Sequence, residues 1–253
     1  MHNNYKFIEK SNLPQNSICH CILGENAVNT ITFLNSIGIK TLTTRMSYKV
    51  DNEIAFHADA QIIYCGGKNA IVSPNQRLLI KELKELGCRV EVTENEPFSP
   101  YPHDISLNFT ILNDTIIGKI DFADKKLLEF IEKNNFNLIN TKQGYSKCSI
   151  CIVNENAIIT EDWGIATLLK NSQINVLKIE PNFITLSDNH YGFLGGASGK
   201  LSKDTIFFNG NLEEHPSYKN IKKFLDFYNV KPIYDKSYKL TDIGSIIPIT
   251  EKF

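Results

Sequence analysis

The sequence predicts an α/β protein built as a closed ring of five repeated units. Three observations predict it. A short polar turn feeding an apolar strand recurs four times, as GKNAIVS at 67–73, NDTIIGK at 113–119, NENAIIT at 154–160 and KDTIFFN at 203–209. Each copy is followed by a segment of helical periodicity and then by another strand. The last apolar run, GSIIPIT at 244–250, has no helix after it, while the first unit is one strand short. Recurrence at a near-fixed spacing marks a repeat architecture, and a final strand that completes the first unit closes the ring.

The elements follow in order. Residues 18–44 form a partial unit: the run ICHCIL, a helix over 25–37 stopped by Gly38, then IKTLTT. In the other four units the polar turn joins two apolar runs, AQIIYC to AIVS, LNFTIL to TIIG, SICIV to AIIT, and the run near SGKL to TIFF. Two strand-like runs joined by a short polar linker read as a hairpin. Helices are predicted over 76–86, 124–135, 163–171 and 218–229; in the first, Leu79, Leu83 and Leu86 make one apolar face. Gly87, Asn134 and Asn135, Asn171 and Asn229 stand where these helices should stop, and such residues tolerate the left-handed conformation of a helix C-terminus. The strands CRVEVT, FNLINT, INVLKIE and VKPIYD complete the units. A doubly wound sheet of βαβ units can repeat at a similar spacing, but it has no need of a hairpin in every unit.

Composition narrows the class. The chain has 253 residues, 42% hydrophobic and 22% charged, with a formal net charge of −1. That is ordinary for a globular protein and long enough for a sizeable core, read here as a single domain over 1–253. No long basic run points to nucleic acid or to an anionic membrane surface. No apolar stretch reaches the roughly 20 residues of a transmembrane helix. The N-terminal stretch MHNNYKFIEKSNLPQN has no apolar leader, so a cytoplasmic location is expected and the six cysteines are expected as thiols.

A ring of five such units resembles the pentein fold, the five-bladed α/β propeller of guanidino-group-modifying enzymes such as arginine deiminases, dimethylarginine hydrolases, agmatine deiminases and amidinotransferases. The chain looks closest to uncharacterised bacterial proteins of this fold. The resemblance covers nearly the whole chain and implies that the first strand of each unit lines a central funnel. The segments concerned are FHAD (56–59), YPHDISLN (101–108), YSKCS (145–149), YGFLGGASG (191–199) and IGSIIPI (243–249). It also implies a cysteine nucleophile in a strand resembling Gly-x-Ile-His-Cys-Ile-Thr and a base in His-x-Lys-Ser. Here those stretches read Gly244-Ser245-Ile246-Ile247-Pro248-Ile249-Thr250 and Tyr145-Ser146-Lys147-Cys148. Pro248 and Tyr145 stand where the cysteine and histidine would be, so the usual mechanism does not carry over.

Candidate site residues follow from the funnel segments. Asp59 and Asp104, read as equivalent positions in adjacent units, can hold a guanidinium or ammonium by charge-assisted hydrogen bonds, with Asn108 as neutral partner and His103, Lys147 and Ser198 beside them. Asp before a strand also commonly caps a turn. Cys148, beside Lys147, is an alternative nucleophile with His57 or His103 as its base. Cys148 and Cys151 have the spacing of a metal or redox motif, but residues three apart in a strand face opposite ways, and cysteine in an apolar strand is usually core. No metal or cofactor is called for. The glycine-rich stretch 192–199 lacks the following helix of a phosphate cradle and reads as close backbone approach.

Three functions compete on these residues. The first is a non-hydrolytic protein that binds a small cationic, guanidino or amino-acid-like molecule in an acidic funnel. The second is a hydrolase or amidinotransferase-like enzyme acting through Cys148. The third is a protein-interaction module. Oligomeric state is not legible. The fold alone does not choose among them.

Overall fold

In the computed structural model, which describes residues 4–253, five sheets follow one another along the chain. The first three residues of the stretch read for a leader lie outside the described residues. The first sheet takes β1 (Tyr5–Phe7), β2 (Ile18–Gly24) and β3 (Lys40–Thr44), with helix α1 (Val28–Ser36) between the last two. The second begins with a single helical turn, α2 (Ala58–Gln61), then β4 (Ile62–Gly66), β5 (Asn69–Val72), α3 (Arg77–Leu86) and β6 (Arg89–Val92). The third holds β7 (Thr110–Leu112), β8 (Thr115–Gly118), α4 (Lys125–Asn134) and β9 (Asn137–Asn140). The fourth again opens with a turn of helix, α5 (Ser146–Ser149), before β10 (Cys151–Asn154), β11 (Ala157–Thr160), α6 (Trp163–Leu168) and β12 (Asn175–Lys178). The fifth holds β13 (Ser198–Ser202), β14 (Thr205–Phe208), α7 (Tyr218–Phe227) and β15 (Lys231–Tyr234). In the second to fifth sheets the first pair is antiparallel and the second parallel, the hairpin-then-crossover unit expected from the sequence.

The last strand, β16 (Ile247–Lys252), inserts into the first sheet between β1 and β2. It is antiparallel to both, with Tyr5 opposite Lys252 and Ile22 opposite Ile247. The two ends of the described chain are thus hydrogen-bonded neighbours, and the ring is closed.

The strands read as unbroken apolar runs because both faces are buried. Alternation sends successive residues into different cores. Ile62 and Tyr64 of β4 pack with the first sheet, while Ile63 and Cys65 pack with Leu107, Phe109 and Ile111 of the third unit. Leu112 joins Ile150 and Ile152 of the fourth, whereas Cys151 and Val153 join Ile206 and Phe208 of the fifth. Phe207 returns to the first sheet's core beside Ile246. The helices sit in these seams: Leu79 and Leu83 of α3, Leu127 and Ile131 of α4, and Ile221 and Leu225 of α7 are their buried faces.

Helix ends mostly match the sequence. Gly38, Gly87, Asn135 and Asn229 all have positive φ. The exception is α6, which stops at Leu168, short of the expected Asn171. No described helix is long and apolar enough to cross a membrane. All six cysteines are free.

Candidate functional site

Three inner strands are each preceded by a turn that delivers one polar side chain to a common point. Asp59 comes from α2 and Cys148 from α5, both single turns of helix, not the extended strand entries the sequence suggests. Asn108 comes from the turn before β7. Ring closure supplies the fourth, Ser245, which is fully buried at φ +69°. Asp59 Oδ2 accepts from Ser245 Oγ (2.6 Å) and from the Cys148 thiol (3.0 Å), and its Oδ1 accepts from Asn108 Nδ2 (3.2 Å). Asn108 Nδ2 also lies 3.3 Å from Cys148 Sγ, and its Oδ1 accepts from the Lys147 backbone N–H at 2.8 Å. Burial, Asp59 and Asp242 together push the Cys148 thiol pKa well above its ordinary value. Lys147 Nζ donates to Ser245 Oγ at 3.1 Å.

Above this cluster opens a cavity of about 290 Å³ whose wall includes Asp51, Glu53, His57, Tyr145, Cys148 and Asp242. Asp242 is buried just before the closing strand and accepts from the N–H groups of Gly244 (2.9 Å) and Phe193 (3.0 Å). Its Oδ1 is 3.9 Å from His57 Nδ1. Burial raises the Asp242 carboxyl pKa, the nearby His57 lowers it, and Asp59 raises it further. Close backbone approach explains the glycines of 192–199: a Cβ at Gly192 or Gly196 would collide with the Asp242 carboxylate, and one at Gly195 with the carbonyls of Cys148 and Ile150. Gly244, at φ +74°, packs in the same way against His57.

The remaining sequence candidates fall elsewhere. Asp104 is not the counterpart of Asp59; Asn108 is. Asp104 lies behind the cavity wall, where Tyr145 Oη donates to its Oδ2 at 2.6 Å and burial raises its carboxyl pKa. Its Oδ1 has no hydrogen-bond partner among the described residues. His103 does not converge on the site, because its ring stacks on Phe98 at 4.8 Å in an outer loop. Ser198 turns back to the Gly195 carbonyl at 3.3 Å. Cys151 is core, as its place in a buried strand suggests. Sequence reasoning missed Asp242 and Glu161. The segment read as entering the last strand began one residue after Asp242. Glu161, 6% exposed, accepts from the Leu194 N–H at 2.8 Å, and burial pushes its carboxyl pKa up to about 8. A wider depression, about 420 Å³, lies at the hairpin-turn end of the ring, where buried Lys200 donates to the carbonyls of Val153 (2.9 Å) and Lys203 (2.8 Å).

Comparison with solved structures supports the fold. An amidinotransferase from Microseira wollei in the saxitoxin biosynthetic pathway matches with a TM-score of 0.60 at 11% identity, over 90% of this chain and 91% of its own. A Campylobacter jejuni agmatine deiminase with substrate bound matches at 0.59 and 8%, over 98% and 97%. DDAH from Pseudomonas aeruginosa in complex with citrulline matches at 0.53 and 10%, over 94% and 100%. These likenesses show the fold, a ring of five α/β blades like that of the penteins. No curated protein matches the sequence. Residues 22–247 match a family described as "Family of unknown function (DUF6873)", and the chain belongs to that family.

Proposed function

We propose that the protein binds a small ligand bearing a guanidino or ammonium group in the acid-lined cavity, without the cysteine hydrolysis typical of the enzymes its fold resembles. The observation that carries this reading is the cavity wall. Asp51, Glu53 and Asp242 face one space, with Asp59 behind Cys148 and Asp104 behind Tyr145. Glu53 is engaged by His190 (2.6 Å) and Ser187 (2.7 Å), Asp51 by Ser99 Oγ (2.9 Å) and Asp242 by two backbone N–H groups, and each carboxylate keeps acceptor capacity for a cation. Carboxylates in a partly dry cavity attract a cation more strongly than they would in bulk water. The names of the structural neighbours, an amidinotransferase, an agmatine deiminase and a citrulline complex, support the same ligand class.

Two features argue against the usual hydrolysis. Pro248 is paired within β16 opposite Cys21, and proline offers no nucleophile. Tyr145, in the place of the histidine, donates to Asp104, and burial raises its phenol pKa far above neutrality. The test is calorimetric titration of arginine, methylarginines, agmatine and polyamines into protein kept in chelator, together with citrulline and urea assays. Binding that weakens in Asp242→Asn or Asp51→Asn, with turnover at background, is the expected result. Binding only of anions, or none, overturns it.

A second reading has one observation in its favour. Cys148 lines the cavity with a ring nitrogen of His57 within 4.8 Å of its sulfur, the pairing of nucleophile and base that attack on an amidino carbon requires. Intact-mass detection of a ligand adduct that vanishes in Cys148→Ser would establish it.

A further inference from the structure

We propose that His57, Asp59 and Cys148 form a binding site for a zinc-like divalent ion at the floor of the cavity. One nitrogen, one oxygen and one sulfur donor from these residues all lie within 4.8 Å of one another. The three residues are 4%, 1% and 3% exposed. Nitrogen, oxygen and sulfur at such separations form the mixed donor set that zinc accepts, whereas calcium and magnesium take oxygen alone. Around a tetrahedral zinc, with bonds of about 2.0–2.3 Å, donor atoms stand roughly 3.3–3.8 Å apart. The Cys148 Sγ to Asp59 Oδ2 distance is 3.0 Å, so this edge needs only a small expansion, and the histidine edges start from no more than 4.8 Å.

A second observation points to an occupant. His57 Nδ1 is buried with no hydrogen-bond partner among the described residues. A buried polar atom left in that state is costly, and a bound ion is one way to satisfy it. The surroundings also suit a metal. Asn108 Nδ2 reaches both Cys148 Sγ (3.3 Å) and Asp59 Oδ1 (3.2 Å), and Ser245 Oγ donates to Asp59 Oδ2. Outer hydrogen bonds of this kind orient ligands and tune affinity. The backbone around His57 is fixed because Gly244 packs directly on it. Three protein donors leave the fourth position facing the cavity, since His57 and Cys148 line its wall.

The site is not the cysteine pair that the spacing of Cys148 and Cys151 suggests. It combines residues from the second and fourth units, which the ring brings together across the third. Binding replaces the thiol proton: the divalent ion gains a bond to the Cys148 sulfur, and one proton leaves to solvent. No electron is transferred.

The proposal stands apart from the ligand reading, which is measured in chelator. The full chain, stripped by chelator and dialysed, is titrated with Zn²⁺ and, separately, with Co²⁺. One equivalent of each should bind, with a proton released and a thiolate-to-cobalt charge-transfer band in the near ultraviolet. Cys148→Ser should abolish the band, and His57→Gln and Asp59→Asn should each weaken binding at least about tenfold. If the folded wild type binds less than one equivalent, or binds Co²⁺ without the thiolate band, the proposal is wrong. Because that decisive spectrum is taken on wild type, a variant that fails to fold leaves the test intact.

Discussion

Ending the chain after Ile246 removes β16 and opens the ring, and the structure gives the scale of the loss. Ile247 and Ile249 are 3% and 0% exposed, so the two side chains forfeit about 1.5–3 kcal/mol of burial each. The Ile249 carbonyl accepts from Ile8 N–H (3.0 Å) and Tyr64 Oη (3.1 Å), and Glu251 Oε2 accepts from the N–H groups of Gln15 and Asn16. Each such bond contributes about 1 kcal/mol, more where a buried donor is stranded. Together these losses rival the whole stability of a typical domain, roughly 5–15 kcal/mol. The truncated protein should show no cooperative thermal transition, and its exposed strand edges should make it aggregate. A graded version avoids the collapse. Ile249→Ala should cost about 2–5 kcal/mol, lowering Tm by roughly 5–20 °C for a chain of this size. Phe253→Ser, at a residue 78% exposed, should stay within about 0.5 kcal/mol of wild type. Differential scanning calorimetry of all three decides the matter. A truncated protein that melts with wild type refutes the reasoning.

Other perturbations probe the site. Tyr145→Phe strands the Asp104 carboxyl and should cost about 1–3 kcal/mol in urea titration, with a non-additive partner effect in Tyr145→Phe/Asp104→Asn. Gly196→Ala drives a methyl into Asp242 and should cost about 1–3 kcal/mol while weakening ligand binding; unchanged binding would remove Asp242 from the site. Asp242→Asn should lower affinity for a bound guanidinium by about 2–5 kcal/mol, read by calorimetry. Glu161 titrates near 8 in the fold against 4.5 when unperturbed. Between those values the folded state holds a proton that the unfolded state has lost, so its contribution makes stability fall as pH rises. Glu161→Gln should flatten that decline, and a denaturation series from pH 5 to 9 with parallel wild-type and mutant curves would contradict it.

The ring was legible because its physics is local. A polar turn between two apolar runs specifies a hairpin wherever it occurs, and runs that stay apolar on both faces specify strands buried between two cores. The site was legible only where it hangs on those strands. Asp59, Asn108 and Cys148 lie just ahead of an inner strand in three successive units, so position alone singled them out. Asp104 and His103 are not legible because alternation gives no direction to a side chain in a loop, and the Asp104 partner Tyr145 is distant in sequence. Ser198 opens β13, but its hydroxyl bonds back to the Gly195 carbonyl of the preceding turn. Asp242 left no signal beyond a lone acid near a strand; its importance comes from glycines some fifty positions earlier that make room for it.

The placement of the last strand also sets when the protein can begin to work. Gly244 and Ser245, which brace His57 and hydrogen-bond Asp59, precede the segment that locks the ring. A nascent chain can build its early sheets before β16 has been made, yet the first sheet stays open between β1 and β2 until that strand pairs. Any chain that stops short of β16 therefore lacks both the closed sheet edge and the strand that anchors Gly244 and Ser245 beside His57 and Asp59.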